Sequence, residues 1–269
     1  MITTSHAYVM RKVTRYEISN VLRSRWLVAY TLFFGVITDA LLRFGGDPAR
    51  ALLSLMNVVL IVVPLVSLVI GTMYLYDARE FTELLLAQPV SRRDLFAGLL
   101  LGLVVPLAAA FLVGISVPFA LHGLTDAAQR GTLIALALTG TVLTAIFTAA
   151  AFLVAVRWED KVRGLGVAIA LWLVCAVLYD GVVLILVMVF SDYPLERAML
   201  GLMLANPVDL ARVVLLLQSD ASALMGYTGA VFKSFFGGSE GIAIAAAVLC
   251  AWAALPALLG ARAFRRKDF

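Results

Sequence analysis

The residues of this chain that could take part in chemistry are few and lie far apart. Its two cysteines, Cys175 and Cys250, and its two histidines, His6 and His122, have none of the spacings typical of disulfide frameworks or metal sites. The sequence also contains no HExxH motif, no GxSxG motif and no Gly-rich phosphate loop that ends in lysine. We therefore expect a non-catalytic chain that binds no metal and no cofactor of its own.

Three acidic residues lie within or beside long apolar runs, namely Asp39, Asp180 and Glu240. Acidic groups are costly in lipid, so these side chains should face the protein interior, a cavity or the outer boundary, and they are candidates for a translocation path. Asp180 interrupts an otherwise apolar run, where a path role and a buried structural role fit equally well. Asp39 lies near the outer end of its run, where hydration is the simpler explanation.

A charged, amphipathic segment separates the second and third apolar runs. Its acids Asp77, Glu80 and Glu83 stand where a helix would begin, and negative charge is favourable at the positive end of a helix dipole. Pro89 would end that helix, since proline has no amide hydrogen to donate. We expect a short helix over 77–88 on the membrane surface. It could contact a partner, although an ordinary solvated loop helix fits the same pattern.

The chain should turn again after this helix. Ser91 is followed three residues later by Asp94, a capping-box arrangement that predicts a new helix starting after Ser91. The candidate contact residues of the whole segment are Asp77, Glu80, Glu83, Leu84, Leu85, Pro89, Ser91, Arg92 and Arg93.

A second polar group lies in a long segment, 191–238, between the fifth and sixth apolar runs. Asn206 can cap a helix that has Pro207 at its first position and Asp209 in its first turn. Arg212 could then pair with Asp209 three residues earlier. This local role explains the motif nearly as well as the docking of a partner on the outer surface does.

The elements that must position these residues are membrane helices. Hydrophobic residues make up 63% of the 269 residues and charged residues only 14%, against about 25% charged residues in soluble domains. A helix needs roughly 20 apolar residues to cross a bilayer. Six runs are long and continuously apolar enough, which favours helices over a barrel. They lie near 26–42, 51–75, 95–121, 131–156, 165–190 and 241–261.

The distribution of basic residues predicts the orientation of the chain. Most of the 21 lysine and arginine residues fall on one side of the six predicted spans, the side that also holds both termini. Under the positive-inside rule that side is cytoplasmic, and the net charge of +4 gives no reason to expect a nucleic acid partner. We expect a multi-pass protein of a bacterial or archaeal inner membrane. Its parts are an interfacial elbow helix over 1–25, a membrane domain over 26–263 and a basic tail over 264–269.

The chain resembles the ABC-2 type permeases, the membrane subunits of a class of ABC exporters. The likeness rests on the amphipathic N-terminal segment, on Arg23-Ser-Arg-Trp26, on Glu80-Phe-Thr-Glu-Leu-Leu-Leu-Ala-Gln-Pro-Val-Ser-Arg-Arg-Asp-Leu-Phe-Ala-Gly98 and on the basic end. It departs from the family at Phe81, where glycine is common. The resemblance implies an all-α fold of the type V exporter class. It also implies that the 77–88 helix couples to a separate ATPase that binds ATP and magnesium, and that two copies of the chain form a homodimer.

A shorter resemblance concerns one subfamily. Asn206-Pro-Val-Asp-Leu-Ala-Arg212 is similar to a motif of the NosY permeases, which act in the maturation of nitrous oxide reductase. This likeness implies a NosF-like ATPase pair inside, a NosD-like periplasmic partner outside and a sulfur species for a copper site as cargo. The alternative is a generic ABC-2 exporter permease for a drug, lipid or haem-related cargo. A secondary transporter is disfavoured by the absence of a convincing internal repeat.

Overall fold

The computed structural model describes residues 6–86, 90–123, 127–190, 196–218 and 239–266, and within these ranges the chain is helical. The elements in chain order are α1 (His6–Leu22), α2 (Arg25–Phe44), α3 (Pro48–Asp77), α4 (Arg79–Leu86), α5 (Arg92–His122), α6 (Ala127–Arg157), α7 (Lys161–Leu173), one π-helical turn (Val174–Leu178), α8 (Tyr179–Val189), α9 (Glu196–Leu204), α10 (Pro207–Gln218) and α11 (Ser239–Arg266).

Six segments of the described chain are long and apolar enough to cross a membrane, which confirms the prediction of an all-α polytopic protein. They are Arg25–Phe44, Pro48–Asp77, Arg92–His122, Gln129–Arg157, Lys161–Val189 and Gly241–Arg266. The helices extend past the predicted apolar runs because polar residues cap them. Asp47 accepts a hydrogen bond from the Ala49 amide at 3.0 Å, and Asp160 caps α7 in the same way.

The core of the bundle lies among α3, α5 and α6. The fully buried ring of Phe111 on α5 packs edge-on against Phe34 of α2 at 5.2 Å between centroids. On its other side the ring meets Gly140 of α6, where an added Cβ would lie 2.3 Å from a Phe111 ring carbon. Small residues let membrane helices approach closely, so glycine is required at this crossing.

The N-terminal helix α1 is docked on the bundle. Its buried residues Val21 and Glu17 face α5, and the Glu17 side chain fits against Gly102, where a Cβ would come within 2.5 Å. The Glu17 carboxylate accepts a hydrogen bond from the Tyr74 hydroxyl of α3. A buried carboxylate needs such a partner, so this bond ties α1 to the second span.

The chain segments predicted to share the basic side of the membrane do meet at one end of the bundle. Tyr76 at the end of α3 donates to the carbonyl of Trp158, between α6 and α7, at 2.7 Å. Arg92 at the start of α5 donates to the carbonyl of Arg265, near the end of α11, at 3.1 Å. We call this the basic end. The opposite end holds α9 and α10.

The fifth span is the least covered by the rest of the chain. Its apolar side chains Leu178, Val182, Ile185 and Met188 are about half exposed or more. In α3, α5 and α6, by contrast, about half of the membrane-spanning residues are buried among their neighbours. In a membrane this face must contact lipid or another chain.

Candidate functional site

The short helix α4 presents a charged face away from the bundle. Glu80, Glu83 and Leu84 share this face, because residues three and four positions apart are neighbours on a helix. The Leu84 side chain is 71% exposed. The face offers two carboxylates around one apolar side chain, a combination suited to a protein contact.

The opposite side of α4 is fixed to the bundle. Thr82 is buried and donates to the carbonyl of Ala78 at 2.8 Å, and Leu85 and Leu86 pack against the hydrophobic core. The Phe81 ring stacks on Tyr16 of α1 with 5.7 Å between centroids. α4 therefore bridges the N-terminal helix and the end of α3.

The predicted start of the short helix differs from the structure. We expected Asp77 to open it, but Asp77 is the last residue of α3 and α4 begins at Arg79. The α3 hydrogen-bond ladder simply continues, with the Ala78 amide bonded to Tyr74 at 2.9 Å. The Asp77 carboxylate instead pairs with Lys161 at the start of α7 at 2.7 Å.

A cap next to this pair fixes the start of α7. The Asp160 carboxylate accepts from the amides of Val162 and Arg163 at 2.8 and 3.0 Å. These two backbone hydrogen bonds hold the pKa of the Asp160 carboxyl below its ordinary value, and the bond from the Arg163 amide has the larger effect. Its charge is thus present at neutral pH at the positive end of the helix.

The remaining predicted residues of this segment lie at the start of α5. The Ser91 hydroxyl accepts from the Asp94 amide at 3.2 Å, as the capping pattern predicted. Arg92 reaches α11, whereas Arg93 is exposed next to it. Pro89 lies outside the described residues.

The outer polar motif forms a capped helix, also as predicted. The side-chain oxygen Oδ1 of Asn206 accepts from the Val208 amide at 3.0 Å, and Pro207 and Asp209 occupy the first turn of α10. The start of this helix is buried, since Asn206 is only 2% exposed and Asp209 only 8% exposed. α10 packs against α3, α6 and α11.

The Asn206 motif contacts a π-helical turn in the fifth span. Residues 174–178 interrupt the α-helical ladder, and π turns of this kind are frequent at functional sites. The Asn206 amide group donates to the carbonyl of Cys175 in that turn at 2.8 Å. Tyr179, the next residue after the turn, donates to the carbonyl of Leu202 on α9 at 2.6 Å.

Arg212 completes the junction between α10 and the fifth span. Its guanidinium lies 2.8 Å from the Asp180 carboxylate and 3.3 Å from the Asp209 carboxylate. Burial raises the pKa of Asp209 to about 7, and the hydrogen bond with Asp180 and its charge act in the same direction. Asp180, Asp209 and Arg212 form one unit, which we call the outer cluster.

The other two predicted path residues do not join the outer cluster. Asp39 lies at the outer end of α2, 2.7 Å from Arg43 and 3.6 Å from His122 on α5. Its side chain is 34% exposed and paired with Arg43, and its hydration stays a prediction. The side chain of Glu240 lies outside the part of the chain whose side chains are described.

Sequence reasoning missed several residues of these sites. Lys161, Tyr76 and Tyr16 each make their contact with a residue more than 60 positions away, so no local spacing signalled them. The π turn is built from apolar residues without glycine or proline. Tyr179 carried one signal, since it directly precedes an acid inside an apolar run.

Comparison with known proteins places the chain beside a set of membrane transporters. The sequence model of a family described as ABC-2 family transporter protein matches residues 51–269. A protein of Pseudomonas aeruginosa named probable ABC transporter permease protein NosY is 28% identical over 81% of this chain and 85% of its own length. A protein of Stutzerimonas stutzeri with the same name is 27% identical over 95% of this chain and 97% of its own length.

Proposed function

Because this chain belongs to the ABC-2 family of transporter proteins and is a multi-pass permease subunit of an ABC transporter, we propose that α4 is the element through which a separate ATPase drives it. The ATPase binds ATP and magnesium, and this chain contributes the membrane passage and no cofactor. The basic end then faces the cytoplasm, together with both termini.

The observation that carries this proposal is the division of α4 into two faces. Glu80, Glu83 and Leu84 are exposed, and the Glu83 carboxylate lies 3.4 Å from the guanidinium of Arg79 on the same helix. Thr82 and the Phe81–Tyr16 stack hold the helix to α3 and α1. When the ATPase moves, it displaces α4 through the exposed face. The contacts of α4 then move the second span and the N-terminal helix. Packed helices transmit such a displacement because they deform little.

We further propose that two copies of the chain work as a symmetric pair. The family resemblance implies an ATPase that binds as a pair, so a single six-span chain is half of the expected membrane unit. The exposed apolar face of the fifth span, with Val182 and Ile185, gives the pair a surface to bury. Asp180 of the outer cluster lies on that same span, close to where the passage between the copies would open.

The assignment to nitrous oxide reductase maturation is the finer part of the proposal. It is supported by the similarity to two proteins named NosY and by the Asn206–Arg212 motif. On this basis the partners are a NosF-like ATPase and a NosD-like periplasmic protein, and the cargo is a sulfur species for a copper site. A generic ABC-2 exporter permease shares α4 and the six spans, and it remains the second candidate function.

Co-purification with the ATPase tests the coupling role of α4. We expect the cognate ATPase to be retained by the wild-type chain and lost when Glu83→Lys reverses a charge on the exposed face. Glu159→Lys is the matched control, since Glu159 is an exposed acid at the same end but off α4. Retention of the ATPase by the Glu83 variant, with unchanged stimulation of ATP hydrolysis, would contradict the proposal.

Complementation tests the subfamily separately. A denitrifying host that lacks its own NosY protein should regain nitrous oxide reductase with a full copper site when this chain and its cognate ATPase are supplied. If ATP-coupled activity is intact but the reductase stays deficient in copper, the generic exporter is the correct reading.

A further inference from the structure

A cavity of about 470 Å³ opens at the basic end of the bundle, between the end of α1, the start of α2 and the last turns of α3. Its volume is within the range of small-molecule sites, roughly 300–1,000 Å³. It lies apart from the exposed face of α4 and from the outer cluster. Its walls are of two kinds, which divide it into an apolar slot and a polar mouth.

The apolar slot runs down between three helices. Val69, Ile70 and Met73 of α3 form one wall, Leu103 of α5 and Val21 of α1 the others. Tyr74 also lines the cavity, but its hydroxyl already donates to Glu17, so the slot offers a hydrophilic solute no free donor. It suits a hydrocarbon chain, whose removal from water is favourable by about 25 cal/mol per Å².

The polar mouth carries positive charge. Arg23 is exposed there and has no acidic partner among the described residues. Asp77 also borders the mouth, but its charge is already paired with Lys161 at 2.7 Å. Asn20 and Ser24 complete the mouth, and the Ser24 hydroxyl caps no backbone amide of α2. An anion would therefore find a cation and two further hydrogen-bond donors.

The mouth lies where two membrane spans leave the bilayer. α2 begins at Arg25 and α3 ends at Asp77, and Trp26, which borders the cavity, is 72% exposed. Tryptophan and arginine at this depth are typical of the lipid headgroup region. Basic pockets between membrane helices on the cytoplasmic side are known to bind anionic headgroups.

We propose that this cavity binds one anionic phospholipid. Its phosphate lies at Arg23, Asn20 and Ser24, and one acyl chain occupies the slot along Ile70, Met73 and Leu103. The bound lipid fills the gap between α1 and α3 next to the Glu17–Tyr74 hydrogen bond. Because the bound lipid contacts both helices, it joins the N-terminal helix to the second span.

Native mass spectrometry of the full-length chain in detergent tests this site with palmitoyl-oleoyl phosphatidylglycerol as the probe. We expect retention of one phosphatidylglycerol per chain in preference to phosphatidylcholine. Arg23→Gln should weaken retention about fivefold, the usual effect of one basic residue near a membrane surface. Met73→Trp should abolish it by filling the slot while the charge stays in place.

Arg50→Gln is the matched control, because Arg50 is an exposed arginine at the opposite end of α3 and should leave retention unchanged. Glycerol 3-phosphate at equal concentration distinguishes a lipid from a free phosphate. If it displaces the lipid fully, or if phosphatidylcholine binds as well, the proposal is wrong. It is also wrong if Met73→Trp dissociates a dimer without changing lipid retention, since a second copy would then occupy the cavity.

Discussion

Arg212 of α10 and Asp180 of the fifth span form an ion pair at 2.8 Å, although they are 32 positions apart in the sequence. The same guanidinium reaches Asp209 at 3.3 Å, so one cation serves two carboxylates. The pair fixes α10 to the segment just after the π turn. Any movement of the fifth span at this level must therefore move α10 or break the pair.

Arg212→Ala should destabilise the chain by about 1–2 kcal/mol, because it leaves two carboxylates without their cation. Hydrogen bonds to charged groups contribute about 1.5–3 kcal/mol, and we reduce this figure because the side chains of Arg212 and Asp180 are 33% and 42% exposed. Thermal unfolding in detergent measures the effect. Arg43→Ala is the control, since its pair with Asp39 is exposed and should contribute less than about 0.5 kcal/mol. Equal melting temperatures for the two variants would contradict the role of the outer cluster.

The stability of the outer cluster should depend on pH through Asp209, which lies in α10 outside the six spans. Its folded pKa of about 7 is above the ordinary value of 3.8, so the folded state holds the proton more tightly than the unfolded state. The contribution is fully present below pH 3.8 and is lost as the pH rises through about 7. Its slope is at most about 1.4 kcal/mol per pH unit.

Asp209→Asn isolates this titration, because the amide has a similar shape and carries no charge at any pH. Melting temperatures measured from pH 5 to pH 8.5 should fall more steeply for the wild-type chain than for the variant. Parallel curves would mean that Asp209 does not titrate in this range.

Some of this arrangement could be read from the sequence because it is local. Asn206 and Ser91 were predicted as caps, since a capping side chain bonds an amide only two or three residues away. The six spans were predicted because a bilayer demands a long apolar run whatever the fold. Only the ends of the spans differed from the prediction, because caps such as Asp160 let the helices begin earlier than the apolar runs do.

The rest could not be predicted because it depends on which helices meet. Asp180 could be a path residue or a structural one from its spacing alone, because its partner Arg212 lies 32 positions away. The π turn at 174–178 consists of ordinary apolar residues, and the Asn206 side chain that bonds its Cys175 carbonyl lies 31 positions further along the chain. Asp77 was assigned to the wrong helix because acids mark helix starts on average, while here the α3 ladder continued past it.

The stack between Phe81 and Tyr16 should keep α4 ordered. Phe81→Ala removes the contact, and aromatic pairs of this kind contribute about 0.5–1.5 kcal/mol beyond the area they bury. We expect faster amide hydrogen exchange in residues 79–86 and weaker stimulation of the partner ATPase. Tyr16→Phe keeps the ring and serves as the control, with exchange unchanged. If both variants behave as the wild type, α4 is held by Thr82 and the core leucines alone.

Gly164 on α7 should not tolerate a methyl group, because the Tyr76 hydroxyl occupies its place. A Cβ at residue 164 would lie 2.0 Å from that oxygen and 2.8 Å from the ring carbon that bears it. Gly164→Ala must therefore displace Tyr76 from the Trp158 carbonyl and disturb the Asp77–Lys161 pair beside it. We expect a loss of about 1–3 kcal/mol, the usual cost of overpacking. Gly166→Ala, two residues along the same helix, meets no atom within 4 Å and should be neutral or slightly stabilising. Thermal unfolding of the two variants checks the difference, and an equal loss in both would show that the Tyr76 contact does not hold α7 in place.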